Sequence, residues 1–297
     1  MNQSFNFKIS NQDFKGLARV ISLVENEVEG YEEFMQSLIL SDKSKVIGIT
    51  GPPGAGKSTL TDALIEGLVL KNKRVAVICV DPSSPFNLGA ILGDRIRMSE
   101  WFNHPNVFIR SLATRGSLGG LNPKVIEISD ILKAAAFDYI IVETVGVGQS
   151  EIEISGLADK TIVVLVPESG DEIQTMKSGV MEIADIFVVN KSDRPGADIF
   201  IKNLRQMLMP SFKKSSNEIP VIKTIASKKS GIDELIKAIE VDDSSKNEEK
   251  KILLLAEKAY HLIRLKRMKD VDKDALIQKI KMMNEGTTIY EILKEYS

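Results

Sequence analysis

Apolar residues along this 297-residue chain fall into three regimes. In the first, residues 1 to about 44, Phe14, Leu17, Ala18, Ile21, Val24 and Val28 recur at the spacing of a helix, with Asn11 as its candidate cap. Tyr31, Phe34, Met35 and Leu38 continue that pattern beyond Gly30. From 45 to about 240 the rhythm changes to short Val/Ile runs at 45–50, 74–80, 107–110, 139–143, 161–166, 186–190 and 221–225, separated by longer mixed stretches. Unbroken rather than alternating runs are what strands buried on both faces of a parallel sheet require. The expected fold is therefore α/β, a mostly parallel central sheet flanked by helices, with Pro123 opening the helix before residue 139 and Asn122 capping it.

The third regime follows a charged stretch, 240–249, in which only Val241 is apolar. A helix from about 248 to 268 is expected, carrying Ile252, Leu253, Leu254, Leu255, Ala256, Ala259, Leu262, Ile263 and Leu265. That arc is wider than one core-facing stripe needs, so the surplus packs either on the chain's own core or on another subunit. The heptad fails at Lys266, which argues against a long coiled coil. The pattern divides the chain into an N-terminal helical extension (1–44), a central domain (45–240) and a C-terminal helical region (241–297).

Between the first strand and the helix after it stands Gly51-Pro52-Pro53-Gly54-Ala55-Gly56-Lys57-Ser58, followed by Thr59. This is G-x-x-x-x-G-K-[ST] in the strand–loop–helix setting that its mechanism needs. Glycines let the backbone wrap an anion, and the N–H groups of the loop and helix start point inward at phosphates. Lys57 can reach the β/γ-phosphates, and the Ser58 hydroxyl can ligate Mg²⁺. The central domain thus has the outline of a P-loop nucleotide-binding fold.

Base choice is expected from Asn190-Lys191-Ser192-Asp193, at the end of the strand 186–190. A carboxylate at Asp193 can accept from both N1–H and the N2 amine of guanine; adenine offers no such donor pair and would leave the acid unmatched. Lys191 can lay its stem along the base, and Asn190 can tie this loop to the phosphate loop. Backbone N–H groups of Ala226, Ser227 and Lys228, after the strand 221–225, are expected to bond guanine O6. The nucleotide implied is GTP.

Chemistry at the γ-phosphate needs acids for magnesium and a group to position water. Asp81 ends the second strand, Asp94 lies in the following loop, and Glu143 ends the fourth strand ahead of Thr-Val-Gly146-Val-Gly148-Gln149. An acid at such a strand end can hold magnesium through water, and the Gly146 N–H can touch the γ-phosphate. Gln149 stands three residues beyond Gly146, so capping or packing suits it better than positioning water.

Composition narrows the partners. At 43% hydrophobic and 27% charged the chain can bury a large core, and a net charge of −2 argues against general nucleic-acid or membrane-surface binding. No apolar run approaches the roughly 20 residues of a membrane span. Residues 1–8 lack a signal-peptide core, so the cytoplasm is the expected compartment. A single cysteine, Cys79, rules out an intrachain disulfide and sits inside a strand as core filler. With His104 and His261 as the only histidines, a zinc or nickel cluster is not expected.

Several strings occur in a telling order: the phosphate loop, Val80-Asp81-Pro82-Ser83-Ser84-Pro85, Leu92-Gly93-Asp94-Arg95, Arg115-Gly116-Ser117-Leu118-Gly119-Gly120, the run from Val142 and Glu143 through Gln149 to Glu151, Gly170-Asp171-Glu172, and Asn190 to Asp193. On these the chain resembles the MeaB/ArgK family of P-loop GTPases, chaperones of adenosylcobalamin-dependent methylmalonyl-CoA mutase and its relatives. The resemblance includes Leu17-Ala18-Arg19 and thins after about residue 242. It implies hydrolysis of GTP to GDP and phosphate, with nucleotide gating of adenosylcobalamin delivery to a partner acyl-CoA mutase and protection of that mutase. It also implies a homodimer joined through C-terminal helices; neither nucleic acid nor a membrane is expected as a partner, on the charge balance given above. Ser58, Asp81, Asp94 and Glu143 become the magnesium set by this resemblance, Lys57, Asp94 and Glu143 the catalytic residues, and Asp171 and Lys177 part of a switch segment that communicates with the mutase. One departure is Pro167-Glu168-Ser169-Gly170, where relatives more often carry Pro-Gly before Gly-Asp; losing that glycine can stiffen or re-route the segment. The rival readings are a small-molecule kinase of the arginine/ornithine transport type, for which no acceptor site is visible, and a nickel-insertion GTPase, which needs Cys/His ligands in or near its switch loops, where this chain has none. No Asp-x-His-x-x-Gly string occurs, so cobalamin chemistry is expected in a separate protein.

Overall fold

The computed structural model describes residues 13–81, 98–114, 121–144, 154–168, 183–212, 219–241, 247–268, 270–283, 288 and 290–294. It divides into two units, Met1–Asn247 and Glu248–Ser297.

Among the described residues, seven strands form the first unit's sheet: β1 (Lys45–Thr50), β2 (Val75–Asp81), β3 (Val107–Ala113), β4 (Tyr139–Glu143), β5 (Lys160–Leu165), β6 (Ile186–Val189) and β7 (Val221–Lys223). Their order is β3-β2-β4-β1-β5-β6-β7 and every pairing is parallel. β1 lies between β4 and β5, so the chain leaves β1 toward one half of the sheet and later returns to build the other. The crevice at the carboxyl end of β1 is the switch point where such sheets bind ligands.

Strand positions follow the apolar runs, and the differences are local. β3 runs to Ala113, past 110, because its last residues pair with Cys79, Val80 and Asp81. β7 stops at Lys223, since Ile225 turns away to bridge Ser230. The helix expected to open at Pro123 begins instead at Val125, and Asn122 is not its N-cap. Asn122 is buried; its Nδ2 donates to the Ala113 carbonyl at 2.7 Å and its Oδ1 accepts from Lys124 N, which ties the chain to the end of β3.

Helices cover both faces. α3 (Lys57–Leu70) and α6 (Ile232–Glu240) bury Leu60, Leu64, Leu68, Leu235, Ile236 and Ile239 against Ile47, Ile49, Val77, Ile141, Ile162 and Val164. α5 (Ala197–Phe212) sets Phe200, Ile201, Leu204 and Leu208 against Val163, Leu165, Phe187 and Val189. Each such side chain stabilises the fold by about 1.5–3 kcal/mol, which makes the sheet a rigid base for loops at its edge.

The N-terminal extension consists of α1 (Phe14–Glu25) and α2 (Tyr31–Gln36). Leu17, Val20, Ile21 and Val24 are buried at helical spacing, whereas Val28 lies past the end of α1 and is exposed. Asp13 caps the helix, its carboxylate accepting from Gly16 N at 2.8 Å, so the cap is two residues later than Asn11. Asp13→Ala is expected to destabilise the chain by about 1 kcal/mol, with Asp13→Asn close to wild type, read from urea-unfolding midpoints. Charges pin the extension to the sheet and to α4 (Val125–Ala134): Arg110 meets Glu25 at 2.7 Å, and Lys124 meets Glu27 and Glu127 at 2.9 and 3.0 Å beneath the Tyr31 ring. Burial acts to lower the Lys124 pKa, but Glu127 and Glu27 together outweigh it and raise it well above the usual lysine value. A raised lysine contributes stability below its ordinary value and loses it only as pH climbs past the folded one, so this tie is intact at neutral pH.

The second unit contains α7 (Asn247–Arg267), α8 (Lys273–Lys281), whose cap Asp272 accepts from Asp274 N and Ala275 N, and α9 (Tyr290–Leu293). Along α7, Leu254 is buried while Ile252, Leu253, Leu255, Tyr260 and Ile263 are exposed.

Candidate functional site

β1 delivers the chain at Thr50 into a loop that re-enters helix at Lys57. Two glycines make the turn feasible. Gly51 has φ 140°, and a Cβ there would lie 2.2 Å from the Val164 carbonyl of β5. Gly56 has φ 87°, and a Cβ there would meet Asn190 Nδ2 at 2.4 Å. Both conformation and space therefore require glycine, and the loop lies flat against β5 and the end of β6. Pro52 and Ala55 are buried beneath it, while Pro53, Gly54 and Thr59 face outward.

Lys57 is the first residue of α3, and its buried ammonium curls back over the loop, donating to the Gly51 and Pro52 carbonyls at 2.9 and 3.1 Å. Ser58 follows, and its Oγ donates to Glu143 Oε1 at 2.6 Å. One turn further along α3, Thr61 Oγ1 donates to Glu143 Oε2 at 2.8 Å. Parallel register explains the meeting: Glu143 ends β4 beside Ile49 of β1 and Cys79 of β2, directly behind the phosphate loop. The next residue, Thr144, donates through its side chain to Thr50 Oγ1 at 3.0 Å and through its N–H to the Ile49 carbonyl. Glu143 is thus a buried carboxylate held between two hydroxyls of one helix.

Asn190 organises the other side. Its Nδ2 donates to the Ala55 carbonyl at 3.0 Å, and its Oδ1 accepts from Thr224 Oγ1 and Ala226 N, both at 3.1 Å. Lys191, at φ 54°, sends its ammonium to the Gly54 carbonyl at 2.7 Å. The strand end at 190 is therefore bonded to the phosphate loop by two side chains in succession. Asp193 is exposed and meets Lys228 at 3.2 Å. The Lys228 hydrogen bond, with Arg194 nearby, holds the Asp193 carboxyl below the usual aspartate range, so it stays charged through mildly acidic pH. The 3-10 turn Ala226–Lys228 directs the Lys228 N–H to the Ile225 carbonyl, and Ser227 is exposed beside it.

Geometry thus brings Gly51 through Ser58, Glu143, Asn190, Lys191 and Ala226 to one crevice, with Asp193 and Lys228 at its outer rim. Asp81 ends β2 in register with Ala113, two strands from β1. Asp94, Gly146, Gln149, Asp171 and Lys177 lie outside the described residues. Glu168, just before that last segment, pairs with Arg194 at 2.5 Å, and this bond draws its carboxyl below the usual glutamate range. Sequence reasoning missed Thr61. The available signal was a polar residue at a fully buried position of an apolar helix, three residues after Ser58. It also missed the side-chain tie of Trp101 Nε1 to Asp62 of α3, at 2.7 Å.

Comparison with known proteins extends this picture. Residues 17–283 match the family described as methylmalonyl Co-A mutase-associated GTPase MeaB. A protein of Pyrococcus horikoshii that carries a provisional GTPase name is 43% identical over 265 residues, which span 86% of this chain and 84% of that protein. A protein of Geobacillus kaustophilus named fused isobutyryl-CoA mutase is 36% identical over 234 residues, 74% of this chain but 22% of that longer protein. Among solved structures, one described as an LAO/AO transport system kinase superposes with a TM-score of 0.67 at 25% identity, covering 96% of this chain and 93% of that one.

Proposed function

We propose that this chain, which belongs to the MeaB family and is itself a GTPase, uses GTP binding and hydrolysis to gate adenosylcobalamin delivery to an acyl-CoA mutase and to protect that mutase. The observation that carries the mutase link is the match to the protein named fused isobutyryl-CoA mutase, in which a segment like this chain is part of one longer polypeptide. The proposed place of action is the cytoplasm. Among the described residues, no helix is long and apolar enough to cross a membrane.

In the proposed mechanism the phosphates lie in the loop from Gly51 to Thr59, against its N–H groups and the Lys57 ammonium, which turns from the Gly51 and Pro52 carbonyls to the β/γ oxygens. Mg²⁺ fits the donor set, because the hydroxyl of Ser58 and the carboxylate of Glu143 meet at 2.6 Å and both are hard oxygen ligands. Ser58 and Glu143, with Asp81 and Asp94, would hold it. When bound, the ion would supply positive charge against the negative charge that develops during phosphoryl transfer. Glu143 orients water toward the γ-phosphate side, Gly146 offers its N–H to that phosphate, and Lys57 stabilises the developing charge. Asp193 reads the guanine N1–H and N2 amine in place of the Lys228 ammonium, with Lys191 along the base and Asn190 holding the loop. The turn 226–228 faces O6 through the Ser227 N–H, since the N–H groups of Ala226 and Lys228 already donate to Asn190 Oδ1 and the Ile225 carbonyl. Asp171 and Lys177 serve as the switch toward the mutase. The exposed apolar residues of α7 (Ile252, Leu253, Leu255, Tyr260 and Ile263) form the proposed homodimer contact.

A second reading, a small-molecule kinase of the arginine/ornithine transport type, draws on the kinase name borne by the structural relative. The two readings separate by phosphate acceptor, water in one and a guanidino or amino compound in the other. The deciding measurement is GTP turnover with and without the cell's adenosylcobalamin-dependent acyl-CoA mutase. Slow turnover alone, stimulation of tenfold or more by the mutase, and loss of stimulation in Lys177→Ala are expected, since partner-ordered groups are worth large rate factors in phosphoryl transfer (roughly 10³-fold or more). Fast turnover alone with no stimulation would reject the mutase link.

A further inference from the structure

We propose that Thr61 is a positioning residue for Glu143, the anchor that keeps one carboxylate oxygen fixed while the other is exchanged between Ser58 and the nucleotide's metal. The inference rests on the metal-and-water role proposed for Glu143, and it assigns to this chain a residue outside the phosphate-loop motif.

The two oxygens of Glu143 are held differently. Oε1 accepts from Ser58, the last residue of the loop motif, whose hydroxyl has a second use as a magnesium ligand. Oε2 accepts from Thr61 at 2.8 Å, one helical turn deeper. Thr61 has no exposed surface and sits among Leu60, Leu64, Ile65 and Leu68, all equally buried. A hydroxyl in such a place is costly without a strong acceptor, and a carboxylate is the strongest acceptor that a side chain offers. A mid-helix threonine hydroxyl can instead bond back to the carbonyl four residues earlier; here it reaches across to β4. When Ser58 turns to a cation, Oε1 is released toward the phosphate loop, while Thr61 keeps Oε2 on α3. The carboxylate then cannot swing away into the helix–sheet interface, and its other oxygen would be presented to the metal and its water. Pre-set orientation of this kind lowers the reorganisation needed at the moment of reaction.

The test compares Thr61→Val, Thr61→Ala, Thr61→Ser and Glu143→Gln in the full chain, all checked by thermal melting. Two readouts are needed: the half-saturating Mg²⁺ for binding a fluorescent GDP analogue, and steady-state GTP turnover. Removing the hydroxyl in Val and Ala is expected to raise the Mg²⁺ requirement and lower kcat, each about tenfold, the scale of one hydrogen bond to a charged group, with KM for GTP changed less than about threefold. Thr61→Ser should restore both. Should Val fail to fold, the Ala–Ser pair differs by the hydroxyl alone and decides the matter. Wild-type kcat and Mg²⁺ requirement in Val and Ala, with both lost in Glu143→Gln, would overturn the role of Thr61 while leaving that of Glu143 intact. If Glu143→Gln itself retains both, the metal-and-water role fails first and the anchor falls with it.

Discussion

Replacing Lys57 by alanine is expected to lower GTP turnover by roughly a hundred- to a thousandfold and to weaken nucleotide binding in parallel. The ammonium is buried at the start of α3 and donates to the Gly51 and Pro52 carbonyls at 2.9 and 3.1 Å. Those bonds hold it over the space that the loop encloses, so its reorientation toward phosphate oxygens is short. Removing one preorganised donor from a site where charge develops costs about 3–4 kcal/mol of transition-state stabilisation. Part of that loss is also ground-state affinity, because the phosphates are anionic before and after transfer. Lys57→Arg should not rescue, since a planar guanidinium cannot occupy the same enclosed position as a compact ammonium. Single-turnover hydrolysis and titration with a fluorescent GDP analogue separate the two components. A fall of less than about threefold in both would remove Lys57 from the machinery.

Asp193→Asn should weaken GTP binding by roughly ten- to a hundredfold, the discrimination carried by one bidentate base contact, and move preference toward xanthosine triphosphate. Asparagine can accept from N1–H but places a donor amide where the guanine amine also donates; xanthine carries an oxo group there and accepts from that amide. The Lys228 ammonium, at 3.2 Å from the carboxylate, stands in the place that the base donors would occupy. Competition binding of GTP, ATP and xanthosine triphosphate reads the change directly. Unchanged affinity and selectivity would show that this loop does not read the base.

The apolar runs at 45–50 and 139–143 reappear as β1 and β4 with the same bounds, because a strand buried on both faces has no freedom to place a polar residue inside it. Boundaries shift where side chains compete for the backbone. Asn122 suits a cap by residue type, yet its amide bonds to Ala113 and the helix starts beyond it. Asp13 takes the place expected of Asn11 for a similar reason, as either residue type can cap and only the bond to Gly16 N decides between them.

Local motifs made the candidate loops legible in this protein. Gly51 to Ser58 and Asn190 to Asp193 are short contiguous strings, so residue type and spacing alone single them out without coordinates. What only the tertiary structure decided is which distant residues those strings meet. Parallel pairing of β1 with β4 carries Glu143 to Ser58 and Thr61, 85 and 82 residues away in the chain. The β5–β6–β7 half of the sheet brings Asn190 to Ala55 and Ala226. No periodicity records such meetings, since they depend on strand order and register, which are fixed by how the apolar faces of seven strands and their helices exclude water together.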